Sequence, residues 1–304
     1  MSALAISLWF VLAVVAALRV TSRLADELGR PLAWTLGLLA GLGSSTLPHG
    51  LAIALGAAQA PLVLAVFASL ALVWLLRPSE RALVPTALLH HAQPHGLALR
   101  LAWTALGLSV LLALVAFRHR VLAHPDGEWD SWAIWTLRAR FLARGGAQAG
   151  LGPEVEHPDY PLLLPLLTAQ GLALPKLSSS PLPPIAAGFV FTALGPLALG
   201  LLVARLRGHV AGLLAASSLL LLPFWVRSGA DLYADVPLAT LALAAAGTLA
   251  LALETDSLRL LPLAGLFAGL AAWTKNEGAL VLLGGVAALT LPLLRASTRS
   301  PRRL

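Results

Sequence analysis

Leu182-Pro-Pro-Ile-Ala-Ala-Gly-Phe-Val-Phe-Thr-Ala-Leu-Gly-Pro-Leu-Ala-Leu-Gly-Leu-Leu-Val-Ala204 runs without one ionisable side chain. It exceeds the roughly 20 apolar residues a helix needs to cross a hydrocarbon core. Only a helix satisfies its backbone there, because the alternation of a barrel strand is absent. Eight other runs read the same way: residues 2–18, 32–55, 61–76, 101–117, 210–226, 236–253, 260–273 and 279–294. The first lacks the basic leader and small-residue cleavage site of a secretory signal, so it counts as a span. The expectation is an all-α, polytopic helical membrane protein of about nine spans. Residues 1–100 supply the N-terminal spans, and residues 101–304 form a core that includes a long polar loop, 118–181.

Composition agrees. The chain is 58% hydrophobic and 12% charged with mean hydropathy +0.83, where soluble domains carry about 25% charged residues. Without cysteine, disulfides and thiolate chemistry are excluded. The net charge of +7 raises the question of nucleic acid, but no basic cluster is interleaved with aromatics, so no nucleic-acid partner is expected. The strong preference for Arg over Lys, with abundant Ala, Leu and Gly, resembles the coding bias of a GC-rich bacterium.

Basic residues in alternate loops set the orientation. One set holds 13: Arg19, Arg23, Arg30, Arg77, Arg81, Arg100, Arg205, Arg207, Arg259, Arg295, Arg299, Arg302 and Arg303. The other holds eight, six of them in the one long loop that the rule discounts. The N-terminus is therefore expected outside, the C-terminus in the cytoplasm, and loop 118–181 on the extracytoplasmic side of a bacterial inner membrane. Nine of the 14 acidic residues then also lie outside.

Those acidic residues sit in short polar islands. Asp126-Gly-Glu128-Trp-Asp130-Ser-Trp132 opens a segment with Trp129, Trp132, Trp135 and Leu142 at helical steps, the pattern of an interfacial helix, with Arg138, Arg140 and Arg144 placed to snorkel. Asp130 can cap that helix; equally, a carboxylate beside large aromatics at an interface is a setting for a general base. His157-Pro-Asp159-Tyr160-Pro161 precedes a short apolar run, 162–174, read as a second interfacial or re-entrant helix. Its prolines define a rigid turn, and His-x-Asp alone is a weak metal signal. Asp231-Leu-Tyr-Ala-Asp235-Val-Pro places two carboxylates at i and i+4, on one face if helical, with Asp235 and Pro237 as a helix start. Lys275-Asn276-Glu277-Gly joins two spans and carries one of only two lysines and the only asparagine. A compact ammonium in an Arg-writing chain suits a phosphate. His90, His91 and His95 cluster in a cytoplasmic loop and read as solvated.

In order, the aromatic acidic helix, His-Pro-x-Tyr-Pro, Ala-Asp-Val-Pro-Leu-Ala and Gly-Leu-Ala-Ala-Trp-Thr-Lys-Asn-Glu-Gly resemble bacterial membrane glycosyltransferases of the GT-C type. The nearest likeness is to the protein mannosyltransferase and aminoarabinose transferase group, over about residues 101–294, with Thr274-Lys275 its most specific part. The resemblance implies a GT-C-like core that transfers sugar from a polyprenyl-phosphate donor to a glycan, lipid or protein acceptor among membrane lipids. It implies Asp130 as the catalytic acid residue, with Glu128 or Asp126 as substitutes, and His157, Asp159 and Tyr160 near substrate. It further implies Lys275, with Asn276 and Glu277, at the donor phosphate, Arg138 adding charge, and Asp231 and Asp235 lining the site. It specifies no cofactor, and a divalent metal is compatible with it. Two departures are noted: the acidic loop comes later than its usual place after the first span, and the chain ends after the ninth span, as a short or partial member would. Two other classes remain open, a lipid-linked glycan flippase and a non-catalytic assembly protein. Charged residues at mid-span would favour the former, and dispersal of the islands in space the latter.

Overall fold

The computed structural model describes residues 3–55, 60–76, 96–145, 150–153 and 155–298. The histidine cluster at His90, His91 and His95 lies outside them. Every regular element among the described residues is helical: α1 (Ala3–Ser22), α2 (Ala25–Leu28), α3 (Arg30–Ser44), α4 (Leu47–Leu55), α5 (Ala60–Leu76), α6 (Leu97–Ala123), α7 (Leu137–Ala143), α8 (Leu163–Leu172), α9 (Leu182–Arg207), α10 (His209–Leu220), α11 (Pro223–Ala230), α12 (Asp235–Glu254), α13 (Leu261–Ala272) and α14 (Gly278–Thr298).

Among the described residues the nine apolar runs are helical apart from breaks near Ser45 and Leu221, as expected of a polytopic helical membrane protein. Among the described residues, five helical stretches are long and apolar enough to cross a membrane: Leu4–Ser22, Arg30–Leu55, Leu97–Ala123, Leu182–Arg207 and Asp235–Glu254. A sixth is not the straight span expected at 210–226 but the pair α10 and α11, bent by 60°. The apolar stretches Val63–Leu72, Leu258–Ala272 and Gly278–Ala288 are shorter.

The bend lies at Leu222, which is extended before Pro223 as the residue preceding a proline tends to be, and packing on α9 holds it. Pro196 inside α9 has no N–H to give the carbonyl of Thr192. The indole Nε1 of buried Trp225 on α11 donates to that carbonyl at 3.0 Å. Small residues let the two helices meet: a Cβ on Gly188 would lie 2.1 Å from the Gly229 carbonyl oxygen, and one on Gly229 would lie 1.7 Å from Thr192 Oγ1. The result presents Arg227 of α11 beside the end of α6.

One core runs through the bundle, from Leu28, Leu32 and Leu36 to Phe191, Leu241 and Phe267. The second span is broken between α3 and α4, and polar groups fill the break. Trp9 Nε1 and Gln170 Nε2 donate to the Ser45 carbonyl at 2.7 and 2.9 Å, and Trp273 Nε1 donates to Thr46 Oγ1 at 3.1 Å. The freed backbone is thereby satisfied inside protein, as lipid requires.

Candidate functional site

The polar islands meet at one end of the bundle, where α6, α11 and α13 finish and α8, α12 and α14 begin. The other end gathers a separate ion cluster: buried Glu27 pairs with Arg259 at 2.8 Å, its carbonyl accepts from Arg205 at 2.6 Å, and Arg207 meets Glu254 at 3.2 Å.

The first island makes a turn at Gly127, whose φ of +73° is one that glycine adopts without strain. It then enters a π-helical turn over Ser131–Thr136 that continues into α7. Trp129 and Trp132 are 50% and 49% exposed, but Trp135 is 3% exposed. The expected interfacial stripe is therefore divided, and Trp135 belongs to the core with Ile134, Leu164 and Leu232. Asp130 stands at the start of the π turn without capping it and makes no hydrogen bond or ion pair among the described residues.

Glu128 is bridged by two guanidiniums, Arg120 Nη2 and Arg227 Nη2, and Tyr233 Oη lies 3.5 Å from its second oxygen. Asp231, 1% exposed, accepts from Arg120 Nε and Nη2, both at 2.9 Å. Hydrogen bonds from Arg120, then Arg227, hold the Glu128 carboxyl below its ordinary value. Burial, with the charges of Asp130, Glu128 and Asp231, pushes the Tyr233 phenol up. Asp126 meets Arg140 at 3.6 Å, with both side chains exposed, a pair worth little.

The second island is held from beneath. Arg138, expected to snorkel or to face a phosphate, is 0% exposed. Its Nη1 donates to the Tyr160 carbonyl at 2.9 Å and its Nη2 to the His157 carbonyl at 2.6 Å. Burial lowers its pKa, partly offset by the charge of Asp159. His157 takes a left-handed φ of +52°, and its ring stacks on Tyr160 at 4.6 Å, which stacks in turn on Trp135 at 5.5 Å. The run after the turn forms α8, most of whose residues are buried.

The last two islands join here. Lys275 Nζ lies 3.1 Å from Asp235, 3.3 Å from Glu277 and 5.9 Å from the Tyr160 ring centre. Burial pulls the ammonium down, but the Asp235 hydrogen bond and the Asp235 and Glu277 charges outweigh it, so its pKa is raised. Asn276 donates to Asp159 at 2.6 Å, and Leu163 N donates to the Trp273 carbonyl at 3.0 Å. Asp235 begins α12. Asp231 and Asp235 do not share a helical face; one serves the arginine pair and the other the lysine.

Sequence reasoning took Arg120 and Arg227 only as loop charge. The i,i+4 spacing of Arg227 and Asp231 was a usable signal; their 3.7 Å contact realises it. Among the described residues no group of three or more His, Asp or Glu is arranged to hold a metal ion.

No curated protein and no solved structure matches the chain. Residues 159–302, which include Asp159, Tyr160, Asp231, Asp235 and Lys275, match the model of the dolichyl-phosphate-mannose-protein mannosyltransferase family. Over this stretch the chain is similar to glycosyltransferases of the GT-C type, and its helical membrane fold agrees with that likeness.

Proposed function

We propose that the chain transfers a sugar from a polyprenyl-phosphate donor to an acceptor hydroxyl at the extracytoplasmic face of a bacterial inner membrane. The observation that carries this reading is the meeting of the islands at one end of the bundle. There Asn276 donates to Asp159 at 2.6 Å, its neighbour Lys275 lies 3.1 Å from Asp235 and 5.9 Å from the Tyr160 ring centre, and Tyr233 lies 3.5 Å from Glu128. That end is assigned to the outside because Arg23, Arg205, Arg207 and Arg259 gather at the other.

The acceptor oxygen attacks the anomeric carbon, the bond from that carbon to the phosphate oxygen breaks, and its electron pair leaves on the phosphate. The acceptor proton passes to a carboxylate. Asp130 takes that part, because Glu128 and Asp126 are occupied by arginines while Asp130 is not. Cations hold the leaving phosphate, and two centres offer them, Lys275 and the Arg120–Arg227 pair. His157, the exposed end of the stack on Tyr160 and Trp135, presents its ring to the sugar. Location at a rim, with spans nearly free of charge, suits headgroup chemistry better than passage through the bilayer.

The test is transfer of labelled sugar from a polyprenyl-phosphate donor in membranes holding the chain. Asp130→Asn should lower the rate at least about 100-fold with insertion unchanged. Equal rates for Asp130→Asn and the parent reject the assignment.

A further inference from the structure

A groove of about 610 Å³ runs between α6, α9 and α10. On α6 it is lined by Leu99, Trp103, Leu106, Val110, Ala113 and Phe117, a stripe in steps of three and four. Its length is about 27 Å at 1.5 Å per residue, close to the thickness of a hydrocarbon core. The next step of that stripe is Arg120. The opposite wall, from His209 to Leu220 on α10, leads across the bend to Arg227. Followed beyond the apolar groove, one wall thus leads to the Arg120 guanidinium and the other to that of Arg227, the two that meet at Glu128.

We infer that the phosphate of a polyprenyl phosphate binds between Arg120 and Arg227, in the place the Glu128 carboxylate now fills, with its isoprenoid tail along this groove. The inference rests on the lipid-linked donor reading above and decides between its two cationic centres. Glu128 shows what the cradle accepts: an anion held by two guanidiniums, with the Tyr233 hydroxyl 3.5 Å away. Arginine forks match phosphate oxygens as they match a carboxylate. Charge favours this centre. Asp231 is buried and held by Arg120 through both oxygens, and it stays. Glu128 is 35% exposed and follows the Gly127 turn. Once Glu128 swings out, two arginines face one aspartate, a net positive site. Lys275 faces both Asp235 and Glu277, a net negative one. Displaced Glu128 is then a second free carboxylate beside Asp130.

The test uses the full chain in lipid nanodiscs with undecaprenyl phosphate as probe, and undecaprenol and inorganic phosphate as the tail-only and headgroup-only arms. Arg227, 58% exposed, can be replaced without opening the core. Arg227→Ala should weaken undecaprenyl phosphate binding at least about tenfold and leave undecaprenol binding unchanged, while Glu128→Gln should bind at least as tightly as the parent. Inorganic phosphate should fail to displace the probe at equal concentration. Displacement by phosphate alone would make this a free-anion site and overturn the tail assignment. Loss of binding in Lys275→Ala with none in Arg227→Ala would overturn the cradle and keep the donor reading. No binding of the probe by the parent chain would overturn the donor reading itself.

Discussion

Replacing Arg138 by Met separates two roles for a buried cation. The guanidinium is 0% exposed and gives one hydrogen bond to each of two carbonyls, at 2.9 and 2.6 Å. Hydrogen bonds to a charged group contribute about 1.5–3 kcal/mol each, so the turn from His157 to Tyr160 loses about 3–6 kcal/mol of local support. Left-handed backbone at a non-glycine residue, here His157, costs a further 1–2 kcal/mol or roughly that, which the arginine helps to offset. Global stability should change far less, because methionine of similar length relieves the desolvation of a buried charge, a term of several kcal/mol per ion. Arg138→Met should therefore melt within a few degrees of the parent. Amide exchange at Tyr160, whose N–H donates to the His157 carbonyl at 3.0 Å, should accelerate at least about 100-fold, since each 1.4 kcal/mol is a factor of ten. Sugar transfer should fall with it. If exchange at Tyr160 is unchanged and only the donor KM rises, Arg138 touches phosphate directly and the positioning role is refuted.

Two other expectations follow from the same geometry. Gly229→Val puts a branched side chain where even a Cβ meets Thr192 Oγ1 at 1.7 Å; forced separation of α9 and α11 should cost at least about 1–3 kcal/mol and lower the thermal midpoint of the purified chain, while Gly265→Val, where nothing lies within 4 Å, should not. The lowered Glu128 pKa means that its bridge to Arg120 and Arg227 stabilises the fold above the unfolded carboxylate value and is lost as pH falls through the folded value. Melting followed from pH 7 down to pH 3 should show an acid-side loss that Glu128→Gln lacks; parallel curves for the two chains would show the bridge to be without effect.

Much of this was legible in the chain. Uncharged runs announced helices because lipid permits little else, and scarce residue types marked the islands because an alanine and leucine background makes Lys275 and Asn276 conspicuous. The arrangement within the site was less so. Arg120 meets Asp231 across more than a hundred residues, a pairing set by helix packing and not by local spacing. Arg138 looked like a surface cation because helical periodicity placed it among snorkelling arginines; a π turn before it shifts the register and turns its guanidinium inward. Trp135 moved to the core for the same reason. Pro223 marks the bend between α10 and α11 in the sequence, but its docking needed knowledge that Trp225 would find the carbonyl Pro196 leaves free.

The break at Ser45 and Thr46 reaches beyond its own span. Its hydroxyl steadies the Trp273 indole, and its carbonyl receives the Gln170 amide, so the segment ahead of residue 159 acts as a splint for the half that bears the family likeness. A fragment cut to that half would leave an indole and a carboxamide stranded in oil. Grafting or shortening experiments on this scaffold must carry the second span along as part of the frame that holds Trp273 and Gln170.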